Sequence, residues 1–231
     1  MHDQVIPALE GKAMKCFKLF VLLAAVVATP FALAEGDPEA GKEKAQVCAA
    51  CHGPDGNSPS GQYPSLAGQG ERYLIKQLKA YKSGERENAI MQGQAANLSE
   101  QDMQDLAAFF TEQSVKTGQV KPDLVEMGER IYRGGDVEQG IPACAGCHGP
   151  AGQGVDAAGF PALAGQQPAY TESQLKAFRA VGREDIGDMA KRDNDPQAMM
   201  RTLAAKMSDA QIQAVSSFVA GLSAPERDSD E

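Results

Sequence analysis

Histidine is rare in this 231-residue sequence, which has only His2, His52 and His148. Positive charge is also scarce, because 22 Lys and Arg stand against 31 Asp and Glu, for a net charge of −9. That balance argues against proteins that bind nucleic acid or anionic lipid, since both ligands require basic surfaces. The strict apolar–polar alternation of half-buried strands is missing as well, which argues against β-sheet folds.

Long apolar runs are confined to the N-terminus. Two lysines give a positive start, residues 17–27 form an apolar core, and an Ala-x-Ala pattern ends at Ala34. This order predicts a cleaved secretory signal peptide over residues 1–34, with Met14 as an alternative start; an uncleaved N-terminal anchor is the competing interpretation. No later run is long enough to span a membrane. Cleavage leaves 19 basic and 29 acidic side chains, a net charge of −10.

One pattern, Cys-x-x-Cys-His, occurs twice, at residues 48–52 and 144–148. It is the attachment pattern of c-type haem. The two thiols can form thioethers to two vinyl groups of one porphyrin, and the histidine then lies under the iron as an axial ligand. A zinc site would need two such knuckles brought together, and a thioredoxin-like pair would need a βαβ pattern. The predicted haem residues are Cys48, Cys51, His52, Cys144, Cys147 and His148.

The cysteine and histidine counts restrict both sites further. Cys16 lies within the predicted signal peptide, so two covalent haem groups would use all four remaining cysteines and leave none for a disulfide. Once His2 is removed with that peptide, every remaining histidine belongs to a Cys-x-x-Cys-His motif. Neither iron can then have two histidine ligands, so another residue type has to supply the sixth ligand.

The segments that follow the two motifs repeat the same landmarks. Residues 64–69, Pro-Ser-Leu-Ala-Gly-Gln, match residues 161–166, Pro-Ala-Leu-Ala-Gly-Gln. Residues 77–81, Gln-Leu-Lys-Ala-Tyr, match residues 174–178, Gln-Leu-Lys-Ala-Phe. Such long-range repetition indicates a duplicated unit rather than one large domain.

The repeat sets the predicted domain organisation. It divides the mature chain into a first haem domain over residues 35–115 and a second over residues 123–231, which ends in an acidic tail. Residues 116–122 form the predicted linker, with Gly118 and Pro122 as breakers. Each half is short for an independent hydrophobic core, so we expect each to fold around its haem.

Helical signals separated by Gly- and Pro-rich loops dominate the mature chain. Residues 71–82 predict one helix with an apolar face. Ser99 is expected to cap a second helix, whose apolar residues recur at i, i+3, i+4 and i+7. Ser208 and Gln211 predict a capping box before the last helix, which Gly221 should end. The predicted fold class is therefore all-α, with each half a small helical bundle wrapped around a covalent haem.

A methionine thioether is the expected sixth ligand, because sulfur is a good soft donor to haem iron. Met91 lies eight residues before Ser99, and Met200 lies eight residues before the matching Ser208. Each is predicted to lie in an irregular stretch between two helices, from which its side chain can reach over the haem. Met199 stays open as an alternative to Met200. Two other methionines are predicted to fill the cores, Met103 and Met207.

Two repeated prolines and two repeated tyrosines have roles that the residues leave open. Pro64 and Pro161 follow their histidines by 12 and 13 residues. A ligand histidine normally donates its second ring N–H to a fixed acceptor, which a loop proline carbonyl could provide; an ordinary turn proline is the alternative. Tyr73 and Tyr170 suit either packing at the haem edge or hydrogen bonding to its propionates.

Taken together, the tandem motifs, the repeated Pro-x-Leu-Ala-Gly-Gln loops, residues 70–74 (Gly-Glu-Arg-Tyr-Leu) and residues 133–135 (Arg-Gly-Gly) resemble the dihaem cytochrome c4 family over essentially the whole mature chain. The resemblance implies two tandem class I cytochrome c domains related by a pseudo-two-fold axis. It also implies that the haem propionates face each other across the interface between the domains.

The resemblance further implies His/Met ligation of both irons, with Met91 and Met200 at the axial positions. The family pattern has a residue other than methionine where Met199 stands. In function, the resemblance implies a periplasmic carrier, soluble or loosely attached to the membrane. Such a carrier passes electrons from a quinol-oxidising cytochrome bc-type complex to a terminal oxidase or reductase.

The ligands of the iron distinguish between the possible functions of the protein. An iron held by histidine on one side and methionine on the other has no open site, so it exchanges single electrons rather than binding peroxide or substrate. This argues for a carrier and against an enzyme such as a dihaem peroxidase. A haem subunit docked on a larger flavin or quinoprotein dehydrogenase stays open as the alternative. The acidity of the chain favours a partner with a basic patch.

Overall fold

The computed structural model describes residues 35–182 and 191–224. The predicted signal peptide, residues 1–34, and all but the first residue of the predicted tail, residues 224–231, lie outside these described residues. Within the described ranges the chain is helical, without a β-strand, so the all-α prediction is confirmed. No helix in this part of the chain is long and apolar enough to cross a membrane.

The first half of the described chain is a small helical bundle. Its helices are α1 (Pro38–Lys44), α2 (Ala49–His52), α3 (Glu71–Ser83), α4 (Ala89–Ala95) and α5 (Glu100–Thr111), with a 3-10 turn at Ala45–Val47. Helix α1 packs on α5, and α3 packs on both α5 and α4. Ser99 caps α5 as predicted, because its hydroxyl accepts the Asp102 N–H while the Asp102 carboxylate accepts the Ser99 N–H.

The second half repeats this arrangement. Its helices are α6 (Val125–Gly134), α7 (Ala145–His148), α8 (Pro168–Gly182), α9 (Met199–Ala204) and α10 (Asp209–Ala220), with 3-10 turns at Pro122–Leu124, Asp156–Ala158 and Pro196–Ala198. Helix α6 packs on α10, and α8 packs on both α10 and α9. The predicted capping box of Ser208 and Gln211 starts α10, and Gly221 follows its last residue. Two isolated antiparallel bridges, Asp136 with Ile141 and Val155 with Phe160, close loops of this half.

A glycine at the same helix crossing lets each half pack its first helix closely against its last. A Cβ added to Gly41 of α1 would lie 2.8 Å from the Phe109 Cβ on α5. A Cβ added to Gly128 of α6 would lie 2.6 Å from the Phe218 Cβ on α10. Any larger residue would therefore push the two helices apart. The core predictions for Met103 and Met207 are confirmed, since only 2% and 1% of these residues are exposed.

Residues of the predicted linker are hydrogen-bonded to both halves. The Lys116 N–H donates to the Asn57 side chain in the first half at 2.8 Å. The Gly118 N–H donates to the Ala220 carbonyl in the second half at 2.7 Å. These bonds hold the connection against both bundles, so the two halves and the linker belong to one compact unit.

Candidate functional site

Both Cys-x-x-Cys-His motifs form a single turn of helix that begins directly after the first cysteine. Cys48 is the N-cap residue of α2, and Cys144 is the N-cap residue of α7. Gly53 and Gly149 end these helices with φ values of 80° and 79°, a conformation that glycine adopts without steric cost. The four cysteines of the motifs are free, so every thiol is available for a thioether bond.

Each motif histidine is buried, and a proline carbonyl fixes its ring. His52 Nδ1 lies 2.8 Å from the Pro64 oxygen, and His148 Nδ1 lies 2.8 Å from the Pro161 oxygen. A carbonyl only accepts hydrogen bonds, so Nδ1 has to carry the proton, and in the neutral ring Nε2 keeps a free lone pair. Of the two roles left open for Pro64 and Pro161, the structure shows the first, since each proline provides the carbonyl that its histidine contacts.

The surroundings favour the neutral form of both motif histidines and of two of the cysteine thiols. Burial lowers the pKa of His52 and His148 below its ordinary value of 6.5, although the proline carbonyls act in the opposite direction. Burial also raises the pKa of the Cys48 thiol, and the nearby Cys51 adds to the increase. Burial raises the pKa of Cys144 to about 11. Neutral imidazole is the form that binds a metal ion.

The two predicted axial methionines lie on equivalent short helices, Met91 on α4 and Met200 on α9. The prediction of irregular stretches at these positions was wrong. The Asn88 side chain accepts the Met91 N–H at 2.9 Å, and the Asp195 side chain accepts the Arg201 N–H at 3.0 Å, so both segments have polar groups that support a helical start.

Burial distinguishes the two neighbouring methionines of the second half. Met200 is half-buried and packs against the core cluster of that half, which Cys144 also contacts. Met199 is 39% exposed. The thioether of Met200 is therefore on the core side of α9, together with the attachment motif, which favours it over Met199 as a partner for the second haem.

These residues fit a covalently bound haem in each half. Each half provides two free thiols on one helical turn, a buried imidazole bonded through Nδ1, and a half-buried methionine on an equivalent helix. Within residues 35–182 and 191–224, no group of three or more His, Cys, Asp and Glu side chains converges closely enough to hold a metal ion directly. A structural zinc site would require such convergence.

Tyr73 and Tyr170 lie in a buried polar cluster between the halves. Arg192 Nη2 of the second half donates to the Tyr73 hydroxyl at 2.8 Å, and Arg86 Nη2 of the first half donates to the Tyr170 hydroxyl at 3.0 Å. Both arginines also donate to the Gln174 side chain, at 2.9 and 2.8 Å respectively. Burial by itself would raise the pKa of Tyr73, but the charges of Arg192 and Arg86 outweigh it and lower the pKa.

Sequence analysis missed these two arginines, although they occupy equivalent positions. The Arg86 N–H donates to the Ala80 carbonyl at 3.0 Å, and the Arg192 N–H donates to the Ala177 carbonyl at 3.1 Å. Ala80 and Ala177 match in the repeat, but Arg86 follows after six residues and Arg192 after fifteen, which hides the correspondence. Neither guanidinium forms an ion pair with a carboxylate of the described residues. Two buried positive charges at the interface fit a cofactor that carries carboxylates.

Comparisons with known proteins agree with this geometry. The family model described as Cytochrome c matches the chain twice, over residues 38–114 and 125–223. Cytochrome c4 of Pseudomonas aeruginosa is 47% identical over 206 residues, which cover 89% of this chain and 98% of that protein. The thiosulfate dehydrogenase electron acceptor of Thiomonas intermedia is 39% identical over 205 residues, covering 87% of this chain and 89% of that protein.

Solved structures give the same result. The crystal structure of reduced recombinant cytochrome c4 from Pseudomonas stutzeri matches with a TM-score of 0.73 and 47% identity, over 81% of this chain and 99% of that one. The fold is thus two tandem class I cytochrome c domains. The chain belongs to the cytochrome c4 family, as an electron-transfer protein and not an enzyme, with two covalently bound haem c groups.

Proposed function

We propose that this protein is a periplasmic carrier that moves electrons one at a time between respiratory complexes. His52 and Met91 are the axial ligands of the first haem iron, and His148 and Met200 are those of the second. The observation that carries the proposal is the recurrence, in both halves, of a buried neutral histidine and a half-buried methionine on an equivalent helix. Haem with this ligand pair supplies one-electron exchange at a higher potential than a bis-histidine site.

The proposal includes export and a two-domain mature chain. Residues 1–34 are the cleaved signal peptide, which their apolar core and Ala-x-Ala pattern support. The first haem domain covers residues 35–115, the linker covers 116–122, and the second haem domain covers 123–231. The two ranges that match the Cytochrome c family fall within these proposed domains and support them.

For partners, we favour a quinol-oxidising cytochrome bc-type complex as the donor and a terminal oxidase or reductase as the acceptor. The net charge of −10 after cleavage favours a basic docking patch on at least one of them. The second candidate function is a haem subunit or acceptor of a larger dehydrogenase, because one relative is a thiosulfate dehydrogenase electron acceptor. Purification from native periplasm, followed by identification of what reduces the protein and what it reduces, distinguishes the two.

The axial assignment is tested with three methionine variants. Ferric haem with a methionine ligand has a weak far-red absorption band, to which both haems should contribute. Met91→Ala should remove the contribution of the first haem, and Met200→Ala that of the second. Met199→Ala is the matched control and should leave the band at full strength, because Met199 is 39% exposed. Loss of the second contribution in Met199→Ala alone would reassign the ligand to Met199.

A further inference from the structure

Each proline carbonyl that orients a histidine belongs to a peptide group whose N–H points into the interface between the halves. In the first half this group joins Pro64 to Ser65, and in the second it joins Pro161 to Ala162. The carbonyl of each group lies 2.8 Å from its histidine Nδ1. The N–H of the same group is therefore one peptide unit away from the haem ligand that it supports.

A glutamine of the opposite half accepts each of these N–H groups. The Ser65 N–H donates to Gln166 Oε1 at 2.8 Å, and the Ala162 N–H donates to Gln69 Oε1 at 2.8 Å. The glutamine amides also donate back, from Gln166 Nε2 to the Ser65 carbonyl at 2.9 Å and from Gln69 Nε2 to the Ala162 carbonyl at 3.0 Å. The connections cross, so each half supports the histidine of the other.

The orientation of both amides is determined by their partners. Gln166 Oε1 also accepts the Gln167 N–H at 2.9 Å, and Gln69 Oε1 accepts the Gly70 N–H at 3.0 Å. Each Oε1 therefore faces two N–H donors while each Nε2 faces a carbonyl, so the reversed amides would lose every one of these bonds. Both glutamines are buried, with 6% of Gln69 and 7% of Gln166 exposed.

Hydrogen bonds at the two ends of one peptide group polarise each other, and burial in a medium of low dielectric strengthens the effect. An acceptor on the Ser65 N–H makes the Pro64 carbonyl more negative, and therefore a better acceptor for the His52 Nδ1–H. A stronger bond at Nδ1 makes the imidazole a more basic ligand. A more basic ligand stabilises the ferric iron relative to the ferrous iron and lowers the reduction potential.

From this geometry we propose that Gln166 tunes the reduction potential of the first haem and that Gln69 tunes that of the second. Each acts through the histidine-bearing loop of the opposite half. Both are positioning residues, because their amides bond backbone groups and not the histidine rings, and the inference depends on the histidine ligation given under the proposed function. The potential of each haem thereby depends on a side chain of the opposite half.

Crossed potential shifts test the proposal in the intact dihaem protein. Gln166→Leu should raise the potential of the first haem and leave that of the second, whereas Gln69→Leu should do the reverse. A shift of the one-electron equilibrium by up to about tenfold, or ~59 mV, is expected. Each potential is measured by following assigned haem methyl NMR signals through a redox titration.

Gln167→Leu is the matched control. Gln167 Nε2 also crosses the interface, to the Ser58 carbonyl at 2.6 Å, but that carbonyl does not belong to a peptide group bound to a histidine. This variant should leave both potentials unchanged. Gln166→Glu keeps an acceptor for the Ser65 N–H, so it should restore the first potential to the wild-type value or below, and it serves if Gln166→Leu does not fold.

Three outcomes overturn the proposal: equal shifts of both haems, a shift only of the haem in the mutated half, or a Gln167→Leu shift as large as that of Gln166→Leu. The strength of the far-red band of the wild-type protein tests the ligand assignment of the proposed function separately from the proposal about the glutamines. If the band has the strength of two haems but the potentials show no crossed shift, only the proposal about the glutamines is rejected. A wild-type band at lower strength rejects the ligand assignment as well.

Discussion

In each half one contact, called the anchor, holds the first helix against the last helix. The two anchors lie at equivalent positions but differ in chemistry. Three residues after Gly41, α1 presents Lys44, whose Nζ lies 3.1 Å from the Asp105 carboxylate on α5. Three residues after Gly128, α6 presents Ile131, which is 2% exposed and packs into the core beside α10. The first half therefore uses an ion pair where the second half uses an apolar contact.

The groups beside each anchor differ in the same way, with polar groups in the first half and a buried aromatic ring in the second. Asp105 is 3% exposed and also accepts hydrogen bonds from the Asp37 N–H at 3.0 Å and from Gln101 Nε2 at 2.8 Å. In the second half the residue after Ile131 is Tyr132, whose ring is fully buried and whose hydroxyl donates to the Gly149 carbonyl at 2.6 Å.

The comparison shows which part of the anchor the fold requires. Both halves keep the glycine, because the helix axes cannot approach with a side chain at that position. The contact one turn later is free to be ionic or apolar, provided that its partner on the last helix matches it. A polar anchor depends on charge and hydrogen bonding, whereas an apolar anchor depends on filled volume. The two halves should therefore respond differently to the same kind of perturbation.

The largest effect is expected from Ile131→Ala in the second half. Removing a buried branched side chain loses its transfer free energy and leaves a cavity, which costs about 2–5 kcal/mol. Amide hydrogen exchange of the reduced protein should show lower protection in α10, with little change in α5. Val137→Ala is the control, because Val137 is 89% exposed and its truncation should have little effect. Equal loss of protection in both helices would show that the halves do not unfold separately.

A smaller effect is expected from Asp105→Ala in the first half. The variant removes the acceptor of the Asp37 N–H and the partner of Lys44, and the loss of hydrogen bonds to a buried charged group costs about 1–3 kcal/mol. Protection of α5 should fall while that of α10 stays constant. Glu100→Ala is the control, because it removes only the exposed ion pair with Lys79. A cost no larger than that of the control would mean that the polar anchor contributes little.

The length of a helix decided whether it could be predicted from the sequence. Residues 71–82, the Ser99 cap and the capping box before α10 gave correct helices, because each signal is local and several turns long. The helices that carry Met91 and Met200 have seven and six residues, too few turns for periodicity to indicate a helix.

Groups that meet only in the folded chain gave no local signal. Gln69 and Gln166 were visible as repeat landmarks, but their partners Ala162 and Ser65 lie 93 and 101 positions away. Repetition showed that these glutamines recur, and only the packing of the two halves showed that their bonds cross. Sequence therefore defined the chemistry of each haem site better than the connection between the sites.

Acidification should destabilise the first half more than the second. Burial by itself would raise the pKa of Asp105, but hydrogen bonds from the Asp37 N–H, Gln101 and Lys44 outweigh it and lower the pKa below 3.8. Because the folded pKa lies below the unfolded one, this stabilisation is complete above about pH 4 and is lost as the pH falls through the folded value. At the equivalent positions, Ile131 and Ala214 do not titrate.

Urea unfolding followed by amide NMR signals of α5 and α10 measures this pH effect, and urea is preferred because it does not screen charges. Asp105→Asn should reduce the loss of stability of α5 between pH 5 and pH 2.5 while leaving the response of α10 unchanged. An unchanged pH response of α5 in Asp105→Asn would assign the acid sensitivity to another carboxylate, such as Asp102.

The smallest net effect is expected when the polar anchor is converted into the apolar one. Lys44→Ile combined with Asp105→Ala gives the first half the residue types that the second half has at the equivalent positions, Ile131 and Ala214. Replacing both members of an ion pair by apolar residues is often neutral or stabilising where the pair is removed from water, because the desolvation of both charges is avoided together. Here the Asp105 side chain is 4% exposed and the Lys44 side chain 32% exposed. The protection of α5 should therefore be clearly higher than in Asp105→Ala alone, with a remaining deficit because the Asp37 N–H still lacks its acceptor. The acid response should be as small as in Asp105→Asn. If the double variant is no more stable than the single one, the crossing of α1 and α5 requires Asp105 itself, and the two anchors are not interchangeable.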